Sequence, residues 1–348
     1  AAPLALVMSG AMEAAGQTFA MRHADIAIGT MSAKGNVSLD SRGEVPALQA
    51  DLAAPAIDLA AILPAGGATA DGWGSDRLDL AGLTHTSFVL KLVTDQIEYG
   101  GLVSGPSRIA ATGKDGRLDA ELGITALAGG TGSITLGIDA NQTPPQLALG
   151  IKTVDGDSRQ LLPALTGIGW LSGQVSLSAE LAGTGDTQQE IFGTLKGTAE
   201  ITLTDGAVAG LAIPALLGEA SQRVVEGWPG SGAVARTAFK ALEARFTVAD
   251  GIAAVDRLSL VSPELNMTAR GDIDLLRRAL DLRADPWLVT GSAGGTAALP
   301  VSMRIEGAWA APRIYPDLPG ILDNPAAAFD TLRTMGLPQQ DGATVPDN

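Results

Sequence analysis

Apolar and polar residues alternate along this chain in short runs, and each run ends on a turn-forming pair. In the last third, Leu258 and Leu260 form one apolar set, Leu265, Met267 and Ala269 a second, and Ile273 and Leu275 a third. Asp250-Gly251, Ser262-Pro263 and Gly271-Asp272 punctuate them. A period of two is that of a strand with one apolar and one polar face, and the punctuation predicts consecutive hairpins. Gly173–Leu181 and Gly197–Leu203 read as further strands led by glycine, with Thr204-Asp205-Gly206 as a hairpin turn. In the second of these, Ala199, Ile201 and Leu203 share one face, while Thr198, Glu200 and Thr202 share the other.

The pattern also repeats on a larger scale. Pro46–Pro64 and Pro145–Pro163 both begin and end on proline with the same spacing, 64 − 46 = 163 − 145 = 18. At an offset of 145 − 46 = 99, Leu48 matches Leu147, Leu52 matches Ile151, Ile62 matches Leu161 and Leu63 matches Leu162. Asp58 matches Asp157, each placed to cap a short helical turn. Glycine-led strands, Gly35–Leu39 and Gly132–Leu136, precede the two copies. The repeating unit is strand, turn, strand, short helix, over about 35–64 and 132–163.

Other segments depart from alternation. Ile213, Leu216, Leu217, Ala220 and Val224 follow helical spacing, which predicts a helix over 213–228. Asn324-Pro325 and Gly336 bracket Phe329, Leu332 and Met335, which predicts a C-terminal amphipathic helix over 321–337. The polar tail 338–348 is expected to be disordered. Gly66–Gly74 and Thr184–Gln189 read as loops. No apolar run is long enough to cross a membrane as a helix, and the first residues lack the basic region of a signal peptide. The chain opens without Met inside an alternating pattern, so an upstream part is expected to be missing.

The search for chemistry returns turns and caps. With no cysteine there is no disulfide or thiolate metal site, and two histidines, His23 and His85, make an imidazole site improbable. No nucleophile elbow, Walker loop or dinucleotide fingerprint occurs; Gly129-Gly130-Thr131-Gly132 precedes a strand rather than a helix. Asp155, Asp157, Asp272 and Asp274 stand where turn and cap chemistry wants aspartate. Asn36, Asn141 and Asn266 form sequons to which nothing is assigned, and Trp73, Trp170 and Trp228 each adjoin glycine, as rim or packing residues. The net charge of −15 opposes nucleic-acid binding and simple docking on anionic lipid. Neither a catalytic residue, a metal nor a cofactor is implied.

What remains is an apolar face carried by many strands. Burying it stabilises by roughly 25 cal/mol per Å², so a second sheet, helices or a bound apolar ligand must cover it. Helices are too few. With 4% aromatic residues, a sandwich core about 10 Å thick would have to be filled with Leu, Val and Ala; a curled sheet around a flexible filler is the other solution. The ordered pieces of the last third resemble the C-terminal region of the AsmA family of bacterial envelope proteins. A Thr237-x-Phe239 segment leads to a strand ending at Gly251, then a Ser262-Pro263 strand, a hairpin from Gly271 and a Pro300-Val301 strand. Gly307, Trp309, Pro312, Pro316 and Asp317 close the region.

The resemblance implies a mainly β fold, an elongated curved antiparallel sheet forming a taco-like groove, with a few short helices, over residues 1–320. It further implies a non-enzymatic periplasmic protein, anchored in the inner membrane through an N-terminal helix absent from this chain. Its partners would be phospholipid acyl chains, moved between inner and outer membrane, with a role in outer-membrane assembly. On this reading Ile201, Leu203, Val248, Leu258, Leu260, Met267 and Ile273 line the groove, and Ser259, Asn266, Thr268 and Asp272 face outward. An envelope scaffold that moves no lipid, and an exported β-solenoid, are the alternatives. The solenoid predicts short parallel rungs, against a unit near 99 residues with hairpin turns.

Overall fold

The structure is a computed structural model, described here for residues 6–62, 72–209, 236–263, 265–290, 295–298 and 302–317. The expected helices over 213–228 and 321–337, the tail 338–348 and most of the Gly66–Gly74 loop lie outside those residues.

One sheet of nineteen strands accounts for most of the described chain. The first four are β1 (Leu6–Ala15), β2 (Thr18–Ile28), β3 (Met31–Asp40) and β4 (Ala47–Asp58), followed by α1 (Leu59–Ile62) and α2 (Ala81–His85). Then come β5 (Ser87–Tyr99), β6 (Leu102–Val103), β7 (Ser107–Lys114), β8 (Arg117–Leu127), β9 (Gly130–Asp139), β10 (Gln146–Asp157) and α3 (Ser158–Thr166). The second half holds β11 (Leu171–Thr184), α4 (Gln188–Gly193), β12 (Lys196–Ala209), β13 (Arg236–Ala249), β14 (Ile252–Val261) and β15 (Leu265–Asp274). It ends with β16 (Ala279–Thr290), β17 (Gly295–Ala298), β18 (Met303–Ala308) and β19 (Arg313–Pro316). Strands pair with their sequence neighbours, β6 and β17 being side additions to β5 and β16. Every pairing is antiparallel except β4–β5, which is parallel and needs a long crossover. The result is a single open, curved sheet; it is neither a stacked sandwich nor a solenoid of parallel rungs.

Local chemistry explains the hairpins. Asp115-Gly116 and Asp250-Gly251 have both central residues in the left-handed region, at φ 51° and 76°, and 49° and 74°. That is the turn whose twist matches the flanking strands. The repeat is visible as well. β3 and β9 start at 31 and 130 and end at 40 and 139; β4 and β10 start at 47 and 146 and end at 58 and 157. Each bound differs by 99. Asp58 accepts a hydrogen bond from Ala60 N at 2.9 Å, and Asp157 from Arg159 N at 3.0 Å, so both copies launch their helix from an aspartate cap.

Two expected turns lie inside strands instead. β12 runs through Thr204-Asp205-Gly206 without reversing; Asp205 sits at φ 49°. A Cβ on Gly206 would lie 2.4 Å from the Phe239 ring, so this glycine makes room for a buried aromatic. Gly271-Asp272 lies inside β15, and the reversal comes after Asp274, ending at Arg278 with φ 56°. The glycines expected to lead strands lie within or near the start of longer ones: β3 begins at Met31, β9 at Gly130, β11 at Leu171 and β12 at Lys196. Gly197 shows why glycine is needed there. Its φ is 143°, and a Cβ would stand 2.0 Å from the Glu180 carbonyl oxygen on the neighbouring strand. The β11–β12 register shifts between Ser172 and Gln174, opposite Asp205-Gly206, and such a bulge bends a strand and increases its twist, which is how a sheet this wide curls.

Candidate functional site

Directly paired residues of neighbouring strands point to the same side of a sheet, so the register can be followed across the whole molecule. One row runs from Met12 through Met21, Val37, Ala50, Leu90, Ala111, Ala120, Leu136, Leu149, Leu181, Gly197, Val248, Ala253, Ile273 and Leu280 to Gly307. Every member is apolar or glycine. A parallel row joins Leu52, Leu92, Ile109, Leu122, Ile134, Ile151, Ala179, Ala199 and Phe246. One residue along each strand, the character inverts: Asn36, Asp51, Lys91, Ala110, Glu121, Thr135, Gly150, Glu180 and Thr198 form a row on the other face. Cross-strand ion pairs such as Arg245–Glu200 at 2.6 Å and Lys34–Asp25 at 3.1 Å lie on that polar face.

Among the described residues the apolar face is covered in one half and largely open in the other. Over β11–β16 the chain covers itself. At one end of these strands, α3 puts Leu161 and Leu162 into a core with Leu171, Val175, Leu203, Leu260 and Met303. Trp170 Nε1 donates to the Trp309 carbonyl at 2.8 Å, and Trp309 Nε1 donates to the Thr166 carbonyl at 3.0 Å. This pair of bonds ties the β18–β19 hairpin down onto α3. At the other end, α4 sets Phe192 against Leu181, Leu195, Phe246 and Val248. The β4–β5 crossover is pinned there too. Trp73 stacks on Phe192 with ring centroids 3.4 Å apart and planes 9° from parallel, and the Arg278 guanidinium lies 4.3 Å from the Trp73 ring centroid. Trp73 Nε1 donates to the Leu275 carbonyl at 2.8 Å and Arg278 to the Gly72 carbonyl at 2.9 Å. Burial holds the Arg278 pKa below the usual guanidinium range.

Over β1–β10 the described residues supply little such cover beyond the small core of Ala54, Ile57 and Ile97. Leu52, Leu90, Leu92, Ile109, Leu122 and Ile151 are only half-buried, and Ile134 is 36% exposed. On β1, Leu6 and Met12 are 60% and 63% exposed. These strands form a trough with an apolar floor. Where the trough meets the covered half, α1 and α3 flank a cavity of about 240 Å³ lined by Leu59, Ile97, Leu122, Ile134, Ile151 and Leu165, among others. A wider depression of about 1130 Å³ holds Lys34, Asp95, Arg108 and Glu121 and lies largely on the polar face.

The register puts all seven expected lining residues on the apolar face, and all seven in the covered half. Leu203, Leu260 and Met267 belong to the α3 core, with Ile201 and Leu258 packed against it; Val248 belongs to the α4 cluster, with Ile273 packed against it. Leu203 and Leu260 are 0% and 1% exposed. In this structure their neighbours are protein. Thr268 and Asp272 are exposed on the opposite face, with Ser259 and Asn266 half-buried there. The open floor at Leu52, Leu92, Ile109, Leu122, Ile134 and Ile151 was not singled out in sequence, although its alternation is as regular.

The histidines are placed as ordinary structure. His23 is exposed at a bulge, its backbone N–H donating to Asn36 Oδ1 at 3.2 Å, and His85 ends α2 with Nδ1 2.9 Å from the Ala81 carbonyl. Asp157 is held below the usual carboxylate range, first by the side-chain hydrogen bond from Arg159. Thr184–Gln189, expected as a loop, leads into α4. Thr187 Oγ1 accepts from Glu190 N at 3.1 Å and Glu190 accepts from Asp186 N at 2.7 Å, and the Thr-x-x-Glu signature was present in the sequence. Among the described residues no helix is long and apolar enough to cross a membrane.

Compared with known proteins, residues 91–258 match the model of the AsmA family. That stretch runs from the trough floor into the covered half. No curated protein and no solved structure matches the chain.

Proposed function

From the AsmA-family match over residues 91–258 we propose that the chain is a periplasmic, non-enzymatic lipid carrier of the bacterial envelope. Its trough over β1–β10 holds phospholipid acyl chains during transfer between inner and outer membrane. The observation that carries this reading is the unbroken apolar row from Met12 to Leu149, half-buried or exposed at every member but Ala50, on a sheet whose opposite face is charged. A contiguous exposed apolar surface is costly in water and marks an interaction site. Each methylene moved onto it from water contributes about 0.8 kcal/mol, so a single acyl chain supplies ample driving force without any charge recognition. The net charge of −15 keeps the body off anionic membrane surfaces, which leaves the apolar floor as the contact with lipid. An inner-membrane anchor upstream of this chain would hold the trough at its source.

The test is lipid content. Protein purified without detergent and extracted with organic solvent should yield phospholipid by mass spectrometry, and delipidated protein should bind a hydrophobic dye. A lipid-free, dye-negative monomer would overturn the carrier reading and favour an envelope scaffold.

A further inference from the structure

We infer that the cavity between α1 and α3 is a blind pocket for the methyl end of a single acyl chain, so that this chain's trough measures chain length. The inference rests on the carrier reading and goes beyond it by giving the trough an end. The first observation is the boundary. On one side the cavity is walled by Ile97, Leu122 and Leu59 of the small core under β4 and β5, and on the other by Leu127, a member of the large core that α3 closes. Past Leu127 the space is filled by Leu161, Leu171 and Val175, so an alkyl chain lying along the floor can advance no further toward β11.

Size and chemistry agree with one chain. At about 240 Å³ the cavity exceeds the ~150 Å³ that accepts a benzene ring, yet an α-helix about 10 Å wide cannot enter it. The Ser104 hydroxyl in its wall is already satisfied, accepting from Ile97 N at 3.1 Å and donating to the Gly105 carbonyl at 3.2 Å. Ser133 and Lys152, which border it, belong by register to the polar face. Tyr99 and Thr153 also border it, but no charged side chain on the apolar face does, so a zwitterionic headgroup stays in the open trough. Two leucine-sized side chains flank the cavity with only partial protein cover: Leu165 on α3 is 52% exposed and Ile134 on β9 is 36% exposed. An alkyl chain passing between them buries both. The pocket also lies between the helices of the two repeats, each set by its aspartate cap, so the repeat fixes its width.

The experiment titrates the full chain with lysophosphatidylcholines from decanoyl to stearoyl, below their micellar concentrations; the zwitterionic headgroup removes charge repulsion. Wild type should gain about fourfold in affinity per added methylene, equivalent to about 0.8 kcal/mol, until the pocket is full and the gain stops. Ile134→Trp and Leu165→Trp, on different elements and at part-exposed positions, should each move that stop to shorter chains while melting as wild type does. Val93→Trp on the polar face should leave it in place. A stop that neither tryptophan moves, or affinity that rises without one, overturns the pocket while leaving the carrier reading intact. No binding at any length overturns the carrier reading itself.

Discussion

The two copies of the repeat begin alike and end differently. β3–β4–α1 and β9–β10–α3 share strand bounds, register and cap. Yet β4 is followed by a parallel partner reached through a long crossover, whereas β10 is followed directly by antiparallel β11. That difference divides the molecule. Around the first copy the described residues cover the apolar face only at the small core of Ala54, Ile57 and Ile97. Around the second, α3 is a longer helix ended by Gly167 in the left-handed conformation, and it serves as the wedge onto which β18–β19 close. The crossover of the first copy sets Leu59 of α1 against Ile57 and Ile97 of its own strands, while its Trp73 docks on α4 and the β15–β16 turn of the second half. The same local sequence grammar thus yields a trough in one place and a core in the other, and the distinction lies in what returns to cover it.

The sharpest way to break this comparison is to place a charge on each floor. Leu260→Asp puts a carboxylate among Leu203, Met267 and Leu242 with no partner, at a cost of several kcal/mol, and should abolish folding, seen as loss of the cooperative thermal transition. Leu92→Asp, at a half-buried position of the trough, should fold and be exported but carry little or no lipid. If both variants fold equally well, the covered half is not a core.

Truncation grades the same contrast. Leu203→Ala should lose ~2–5 kcal/mol in urea unfolding, and Leu122→Ala or Leu92→Ala ~1 kcal/mol or less, because less surface is lost from cover. Equal losses would erase the distinction. A smaller effect is expected at the wedge. Asp157→Ala removes the α3 cap and should cost ~1 kcal/mol. Because Asp157 titrates below its unfolded value, its contribution is present above the ordinary carboxylate range and is lost as pH falls through the folded value. Wild type should therefore lose its advantage over the variant in acid.

How much of this was written in the sequence follows from which contacts are local. Alternation is local, so strand identity and the face of each residue were legible; all seven expected lining residues share one face. Hairpins at Asp250-Gly251 and Ser262-Pro263 were legible for the same reason. Asp205-Gly206 carries the same dipeptide as Asp250-Gly251 and does not turn, because what Gly206 serves is the Phe239 ring on another strand. Cover is non-local and was not legible. Trp73 reaches Leu275 across 202 residues and Trp309 reaches Thr166 across 143, and no periodicity reports such pairs. Hence the apolar residues of the last third, the clearest by pattern, were assigned to the groove although the chain covers them itself, while the equally regular floor of β4–β10 was read only as strands of the repeat.

The most direct test of the whole account is where lipid touches the protein. A photo-reactive amino acid placed singly at Leu92, Ile134, Leu258 and Val93, irradiated in cells and read by mass spectrometry, samples the trough floor, the pocket mouth, the covered half and the polar face. The account predicts phospholipid adducts at Leu92 and Ile134 and none at Leu258 or Val93. Adducts at Leu258, or their absence from both trough positions, would contradict it.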